Sequence, residues 1–204
     1  MYDIVIPYKR NTSGELRSSL SLIDKNVPHR RVYVVEDFDK KKNSNVTHIN
    51  QILKIKWAIE NLELTEDFYL YNDDFFVLEP VKDTPYYHKG TIQDHIDSRK
   101  YYDYYTRSLR STLSCLDDGA LSYEMHVPFL FNRDKLYELI ISLEDKIESG
   151  ECPLIRSYYG NAYNVGGEYM EDVKNVKDFV GKTYLSTTES TFRGKVGDYV
   201  RSMI

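Results

Sequence analysis

Asn72-Asp73-Asp74 concentrates the most reactive chemistry in the chain. Two adjacent carboxylates end the apolar run Phe68-Tyr69-Leu70-Tyr71 and precede a second one, Phe75-Phe76-Val77-Leu78. A carboxylate in such surroundings needs a partner, because burying an unpaired charge is very costly. A divalent cation is a natural one. Mg²⁺ and Mn²⁺ prefer oxygen ligands and bridge a protein carboxylate to a diphosphate. So placed, the metal neutralises charge that builds on a departing nucleotide diphosphate. Asp73 and Asp74 are therefore the expected ligands for Mn²⁺ or Mg²⁺, with Asp74 also catalytic and Asn72 binding the donor.

His126 is the second candidate, within Tyr123-Glu124-Met125-His126-Val127-Pro128. Its imidazole would either complete the metal site or act on an acceptor. Glu124 beside it is a candidate general base for an acceptor hydroxyl. Cations follow the first apolar run: Lys9, Arg10 and, a little further on, Arg17. Together with Pro7 and Tyr8 they are placed to hold a donor diphosphate. Glu36 and Asp37 end the next apolar run and suit a ribose or base. Arg156 and Arg193 are later cations that would reach phosphate only by folding back. The Lys40-Lys41-Lys42 run reads as a solvated loop.

These residues need elements that carry them to one edge. Asp3 to Tyr8 reads as a buried strand. Leu16, Leu20 and Ile23 mark an amphipathic helix after it. Arg31 to Val35 is a second strand, and this strand–helix–strand order implies a parallel sheet. Apolar positions from Ile49 to Leu62 predict a long helix. Phe68 to Leu78 is read as a third strand that runs through the acidic triplet. Residues 80 to 118, rich in tyrosine and charge, are expected to be helix and loop over a cleft. Met125 to Phe131 is expected to be a strand, and Lys135 to Ser149 one helix capped by Asp134. Tyr158 to Asn161 reads as loop, Phe179 to Ser186 as a region holding a short strand, and Ser190 to Ile204 as a terminal helix. In open parallel sheets the ligand crevice lies at the carboxyl ends of the strands, where the candidate residues fall.

The chain of 204 residues suits one domain spanning 1–204. Its 19 tyrosines offer flat faces and hydroxyls suited to a binding cleft. A net charge of −5 argues against coating by nucleic acid through charge alone, yet leaves room for a local basic cleft. Cys115 and Cys152 sit in no motif, which fits a reducing compartment. No apolar run approaches the roughly 20 residues of a membrane span. The expected location is therefore the cytoplasm (a host's, if the protein is viral), where nucleotide sugars are made.

Three segments resemble the Stealth-type sugar-phosphate transferases. The first is Gly14-Glu15-Leu16-Arg17-Ser18-Ser19-Leu20 with Val27-Pro28 and Val32-Tyr33-Val34-Val35. The second is Asp67-Phe68-Tyr69-Leu70-Tyr71-Asn72-Asp73-Asp74-Phe75-Phe76, and the third His126-Val127-Pro128. The resemblance implies a GT-A-like fold, α/β with a Rossmann-related, mostly parallel sheet flanked by helices. It also implies a nucleotide-sugar donor and a divalent metal, with Asp73 and Asp74 as metal or catalytic carboxylates and Arg17 near the donor phosphates. The family's tryptophan-containing first motif is absent. Pro7-Tyr8-Lys9-Arg10 stands in its place, closer to ordinary GT-A glycosyltransferases.

The leading expectation is a metal-dependent glycosyltransferase using a UDP-type donor. Its acceptor hydroxyl would belong to a glycan or, as suits a compact phage enzyme, to a hydroxymethylated base in DNA. The rivals are a Stealth-like sugar-1-phosphate transferase acting on a surface polysaccharide, a non-catalytic nucleotide- or glycan-binding module, and a metal-dependent phosphodiesterase or nuclease.

Overall fold

The structure is a computed structural model that describes residues 1–9, 14–36, 47–149 and 153–204. Arg10, Asp37, the Lys40–Lys42 run and Cys152 lie outside the described residues.

β1 (Tyr2–Pro7) holds Ile4, Val5 and Ile6 with no exposed surface, as a strand buried on both faces requires. Gly14 then adopts φ +82°, a left-handed conformation that glycine takes without steric cost, and opens α1 (Glu15–Asn26). α1 returns the chain to β2 (His29–Val35), which runs parallel to β1 with Ile6 opposite Val34. α2 (Thr47–Asn61) crosses back to β3 (Asp67–Leu70), parallel to β1 on its other side. Successive crossovers thus run in opposite directions and leave a switch point between the carboxyl ends of β1 and β3.

β3 ends at Leu70, and the chain turns at Asn72-Asp73-Asp74 instead of continuing as one strand. β4 (Phe75–Val77) belongs to another sheet. The turn ejects the acidic triplet from the ladder, where carboxylates would lie between apolar layers. β5 (Tyr87–His88), α3 (Ile92–Asp97) and α4 (Tyr104–Leu113) make up the tyrosine-rich stretch expected as helix and loop. Thr91 and Asp94 form a capping box for α3, and Asp103 caps α4.

β6 (Phe129–Asn132) pairs antiparallel with β3 and completes the order β2-β1-β3-β6. The strand expected from Met125 begins only at Phe129, because Pro128 has no N–H to give the ladder. α5 (Arg133–Ser142) and α6 (Glu144–Ser149) divide the expected single helix at Leu143. Leu143 is buried with the core, and this anchors the break.

α7 (Ile155–Ala162) replaces the loop expected at Tyr158–Asn161. Gly160 looked like a loop residue but is a packing one. A Cβ there would lie 2.5 Å from the Tyr123 ring. β7 (Glu168–Tyr169) pairs with β5, and β8 (Tyr184–Ser186) pairs antiparallel with β4, Phe76 opposite Leu185. The expected terminal helix is two: α8 (Glu189–Phe192) and α9 (Lys195–Ser202). Gly197 packs against the Phe192 carbonyl so closely that a Cβ would fall 1.6 Å from its oxygen, which folds α9 back on α8.

The two faces of β1 serve two cores. Val5 joins Phe68, Leu70, Phe131 and α2 residues Ile52 and Ile55. Ile4 and Ile6 join Tyr69, Tyr71, Ile23 of α1 and Phe75 of β4. Each such side chain contributes about 1.5–3 kcal/mol on burial. No described helix is long and apolar enough to cross a membrane.

Candidate functional site

The switch point brings Pro7 and Tyr8 of β1's end beside Tyr71-Asn72 of β3's end, since Tyr71 N–H donates to Val5 O at 3.0 Å. Lys54 of α2 donates to Tyr8 O at 2.5 Å and ties that edge down.

The three triplet side chains part company. Asn72 Oδ1 accepts from Gln51 Nε2 at 2.8 Å and from Arg156 Nη2 at 3.2 Å. Asp74 turns toward β8. Its Oδ2 accepts from Lys174 Nζ at 3.2 Å and from Ser186 Oγ at 3.1 Å. Its Oδ1 is buried and has no hydrogen-bond partner among the described residues. Asp73 is half-buried.

Asn72 lines a cavity of about 420 Å³. Its walls include His126, Asp172, Lys89, Glu124 and Arg156. His126 Nδ1 lies 2.8 Å from both Asp172 oxygens, and Lys89 Nζ donates to Asp172 Oδ2 at 2.7 Å. Burial alone would raise the Asp172 carboxyl. The hydrogen bond and charge of His126, and then Lys89, outweigh it and hold the group well below the usual carboxylate range. In the neutral ring the nitrogen that faces two carboxylate oxygens is the one that carries the proton, which leaves His126 Nε2 as the acceptor.

Arg156 stands in the first turn of α7 and is only 6% exposed. Nη1 donates to Met125 O at 2.6 Å, and the guanidinium lies 5.2 Å from the centre of the Phe75 ring. No carboxylate is hydrogen-bonded to it among the described residues. Burial lowers its pKa, opposed by the charges of Glu124 and Asp74. A buried cation without a directly bonded carboxylate suits an anionic ligand. Glu124 Oε1 meanwhile accepts from Ser157 N and Oγ, both at 3.0 Å, and so caps the start of α7.

His95 faces the same cavity, with Nδ1 at 2.8 Å from Ser122 Oγ. Burial, reinforced by the charges of Lys89 and Arg99, pushes its pKa down to about 4, so the ring is neutral at pH 7.

The expected residues therefore fall into groups. Asn72, Glu124 and His126 share the cavity. Asp73 and Asp74 adjoin it through Asn72. Arg17 and Glu36 are exposed, on α1 and at the end of β2. Arg193 pairs with Glu189 at 2.5 Å and is not among the residues lining the cavity. Sequence reasoning missed Asp172, Lys89 and His95, and it treated Arg156 as remote.

Among the described residues no three His, Cys, Asp or Glu side chains gather as a metal-binding group. Asp73, Asp74 and His126 do not assemble into one, and His126 engages Asp172 instead. A Mg²⁺-type ion needs only one or two protein carboxylates when a substrate diphosphate supplies other oxygens. The buried, unpartnered Oδ1 of Asp74 fits that more limited demand.

No protein-family model and no curated protein matches the sequence. Solved structures do match its shape. An active-site mutant of LgtC superposes with a TM-score of 0.54 at 11% identity, over 91% of this chain and 86% of that one. The fold is GT-A-like. The galactosyltransferase LgtC in complex with donor and acceptor sugar analogs gives 0.47 at 11% identity, over 83% of this chain and 73% of that one. The apo form of the glycosyltransferase GlyE from Streptococcus pneumoniae TIGR4 gives 0.40 at 10% identity, over 83% and 45%. At such identities the likeness is one of fold, and the roles of residues in this GT-A-like chain rest on its own geometry.

Proposed function

We propose that the protein is a glycosyltransferase that moves a sugar from a nucleotide-diphosphate donor, UDP-type favoured, to an acceptor hydroxyl. The observation that carries this reading is the cavity at the switch point, where Asn72 and the adjoining carboxylates meet the buried Arg156 and the His126–Asp172 pair.

Asp74, through Oδ1, and Asp73 would hold Mn²⁺ or Mg²⁺. When bound, the ion neutralises charge on the leaving diphosphate. The chain's own groups do the rest. Arg156 presents a fixed cation that meets developing negative charge without reorganising. Asp172 holds the His126 ring with Nδ1–H toward itself. His126 Nε2 takes the proton of the acceptor hydroxyl as its oxygen bonds to the anomeric carbon, and the nucleoside diphosphate departs. Glu124, anchored by Ser157 through one oxygen, is the alternative base. The cytoplasm, where donors of this class are made, is the proposed place of work, and the described unit acts as a single transferase domain.

A second reading is favoured by Arg156 and Lys89 lining one cavity, since paired cations also suit a transferring phosphoryl group. There the acceptor attacks the phosphorus next to the sugar, as in the Stealth-type enzymes. Incubation with radiolabelled UDP- and GDP-sugars and a panel of acceptors separates the two. Release of nucleoside diphosphate supports glycosyl transfer, and release of monophosphate supports sugar-phosphate transfer. Binding of donor with no turnover on any acceptor would leave a nucleotide-binding module.

A further inference from the structure

The outer side of α4 carries a second cavity, of about 410 Å³. Tyr102, Tyr104, Arg107, Arg110 and Lys146 line it, and no acidic side chain does so among the described residues. That is unusual in a chain with a net charge of −5. Arg107 and Arg110 are exposed and form no ion pair among the described residues. Instead each guanidinium lies over a phenol ring, Arg107 over Tyr104 at 5.1 Å and Arg110 over Tyr102 at 5.5 Å.

A third stack, Arg99 over Tyr105 at 4.8 Å, stands in the wall of the inner cavity that holds Asn72 and His126, and there the arginine also pairs with Asp103 at 2.6 Å. Tyr104 and Tyr105 are consecutive, so one helix about 15 Å long contributes to the stacks at both cavities, with Arg99 and Tyr102 supplied by the segment before it. Beyond its N-terminus, Tyr101 and Tyr102 are 77% and 69% exposed.

On the outer face, Arg107 and Arg110, each stacked over an open ring, match a chain of phosphates with bases between them. Each base has a π-face that stacks on tyrosine or on a guanidinium plane, and each phosphate meets an arginine. A duplex keeps its bases stacked inside and offers only phosphates to such a face. An anionic glycan meets the charges but lacks planar bases to stack on the rings.

We propose that this face binds single-stranded nucleic acid and that α4 leads the strand inward, so that a nucleoside hydroxyl reaches the inner cavity as acceptor. The docking stands on its own, whereas the acceptor role rests on the transferase reading.

Fluorescence anisotropy with a short labelled oligothymidylate, titrated between about 50 and 200 mM salt, tests it. Binding is expected to weaken steeply with salt. Replacing both arginines, Arg107→Gln with Arg110→Gln, should weaken it at least about tenfold and flatten the logarithmic salt slope by about 1.4, from about 0.7 per phosphate contact. Tyr101→Leu with Tyr102→Leu should weaken it by about tenfold with the slope unchanged, since stacking is not ionic. These side chains are exposed, and an unchanged melting temperature checks that each variant folds. Absence of binding at the lowest salt overturns the proposal. So does equal competition by dextran sulfate with no effect of the tyrosine changes, which would assign the face to an anionic glycan.

A nucleotide-sugar thermal shift on the same samples separates the two readings. Strand binding without any donor effect would sink the transferase reading and leave the surface. A donor effect without strand binding would do the reverse.

Discussion

Asp172 sets both its oxygens 2.8 Å from one nitrogen of His126, and this fixes which nitrogen would serve as the proposed base. Asp172→Asn keeps the shape but lets the amide donate to Nδ1, which puts the ring proton on Nε2, where the base should be. Turnover is expected to fall by about 10²-fold or more, the scale of general base catalysis, with the KM for donor nearly unchanged. His126→Ala should cost a similar factor, and the double variant no more than either alone, as for residues that act as one unit. Multiplying effects would separate Asp172 from His126 and undo the assignment. Single-turnover rates on the three variants decide it. Asn72-Asp73-Asp74 was legible because adjacent acids break an apolar run. Asp172 was not, because it lies in a polar stretch 46 residues from His126 and only folding joins them. Arg156 was legible as a cation and not as a buried one, since its burial depends on Met125, Asn72 and Phe75 closing over it.

Elements carry their own tests. α7 packs on the segment before β6 through Gly160, where a Cβ would meet the Tyr123 ring at 2.5 Å. Gly160→Ala overpacks this contact and is expected to destabilise by about 1–3 kcal/mol. In a chain of this size that lowers the melting temperature by roughly 2–12 °C. An unchanged melting temperature would mean that the helix and the ring part freely. The same contact explains why α7 escaped sequence reading. Glycine beside asparagine reads as a turn, and only the neighbouring ring shows that a missing side chain is what the helix needs. β1, α1, β2, α2 and β3 were readable because each follows its own period and the core lies on one known face. α3 contributes a pH response through His95. Its folded pKa of about 4 lies below the ordinary 6.5, so the folded state binds fewer protons between those values. The stabilisation is therefore full above pH 6.5 and is lost as pH falls toward 4, by about 3 kcal/mol. Urea titrations at pH 7 and pH 4.5 should show this loss in the wild type and much less of it in His95→Gln. An equal loss in both would place the acid sensitivity elsewhere.

At the scale of the whole molecule, the candidate site depends on two halves meeting. Asp3 is fully buried and binds Arg30 through two bonds of 2.9 Å and Thr65 N at 2.8 Å, so it ties β1, β2 and the approach to β3 together. Those strands supply Asn72 and its carboxylates. Arg156, Asp172 and Lys174 come from much later in the chain and close on the same place. Net charge, an average over both halves, says nothing of the cation, Arg156, that this closure buries. A ligand that needs both halves stabilises the native state alone. At about 100 times its dissociation constant it adds about 2.7 kcal/mol, which at this chain length raises the melting temperature by about 5–10 °C. A UDP-sugar with Mn²⁺ is expected to give a rise of that size in the wild type, and the metal-dependent part should vanish in Asp74→Ala. Because Asp74 Oδ2 already binds Lys174 and Ser186, the variant also loses those bonds, so the comparison is between shifts and not between absolute melting temperatures. A full metal-dependent shift in Asp74→Ala would remove Asp74 from the ion's ligands. No shift in the wild type with any nucleotide sugar, with or without metal, would remove the donor from the cavity and with it the reason for reading this fold as an enzyme.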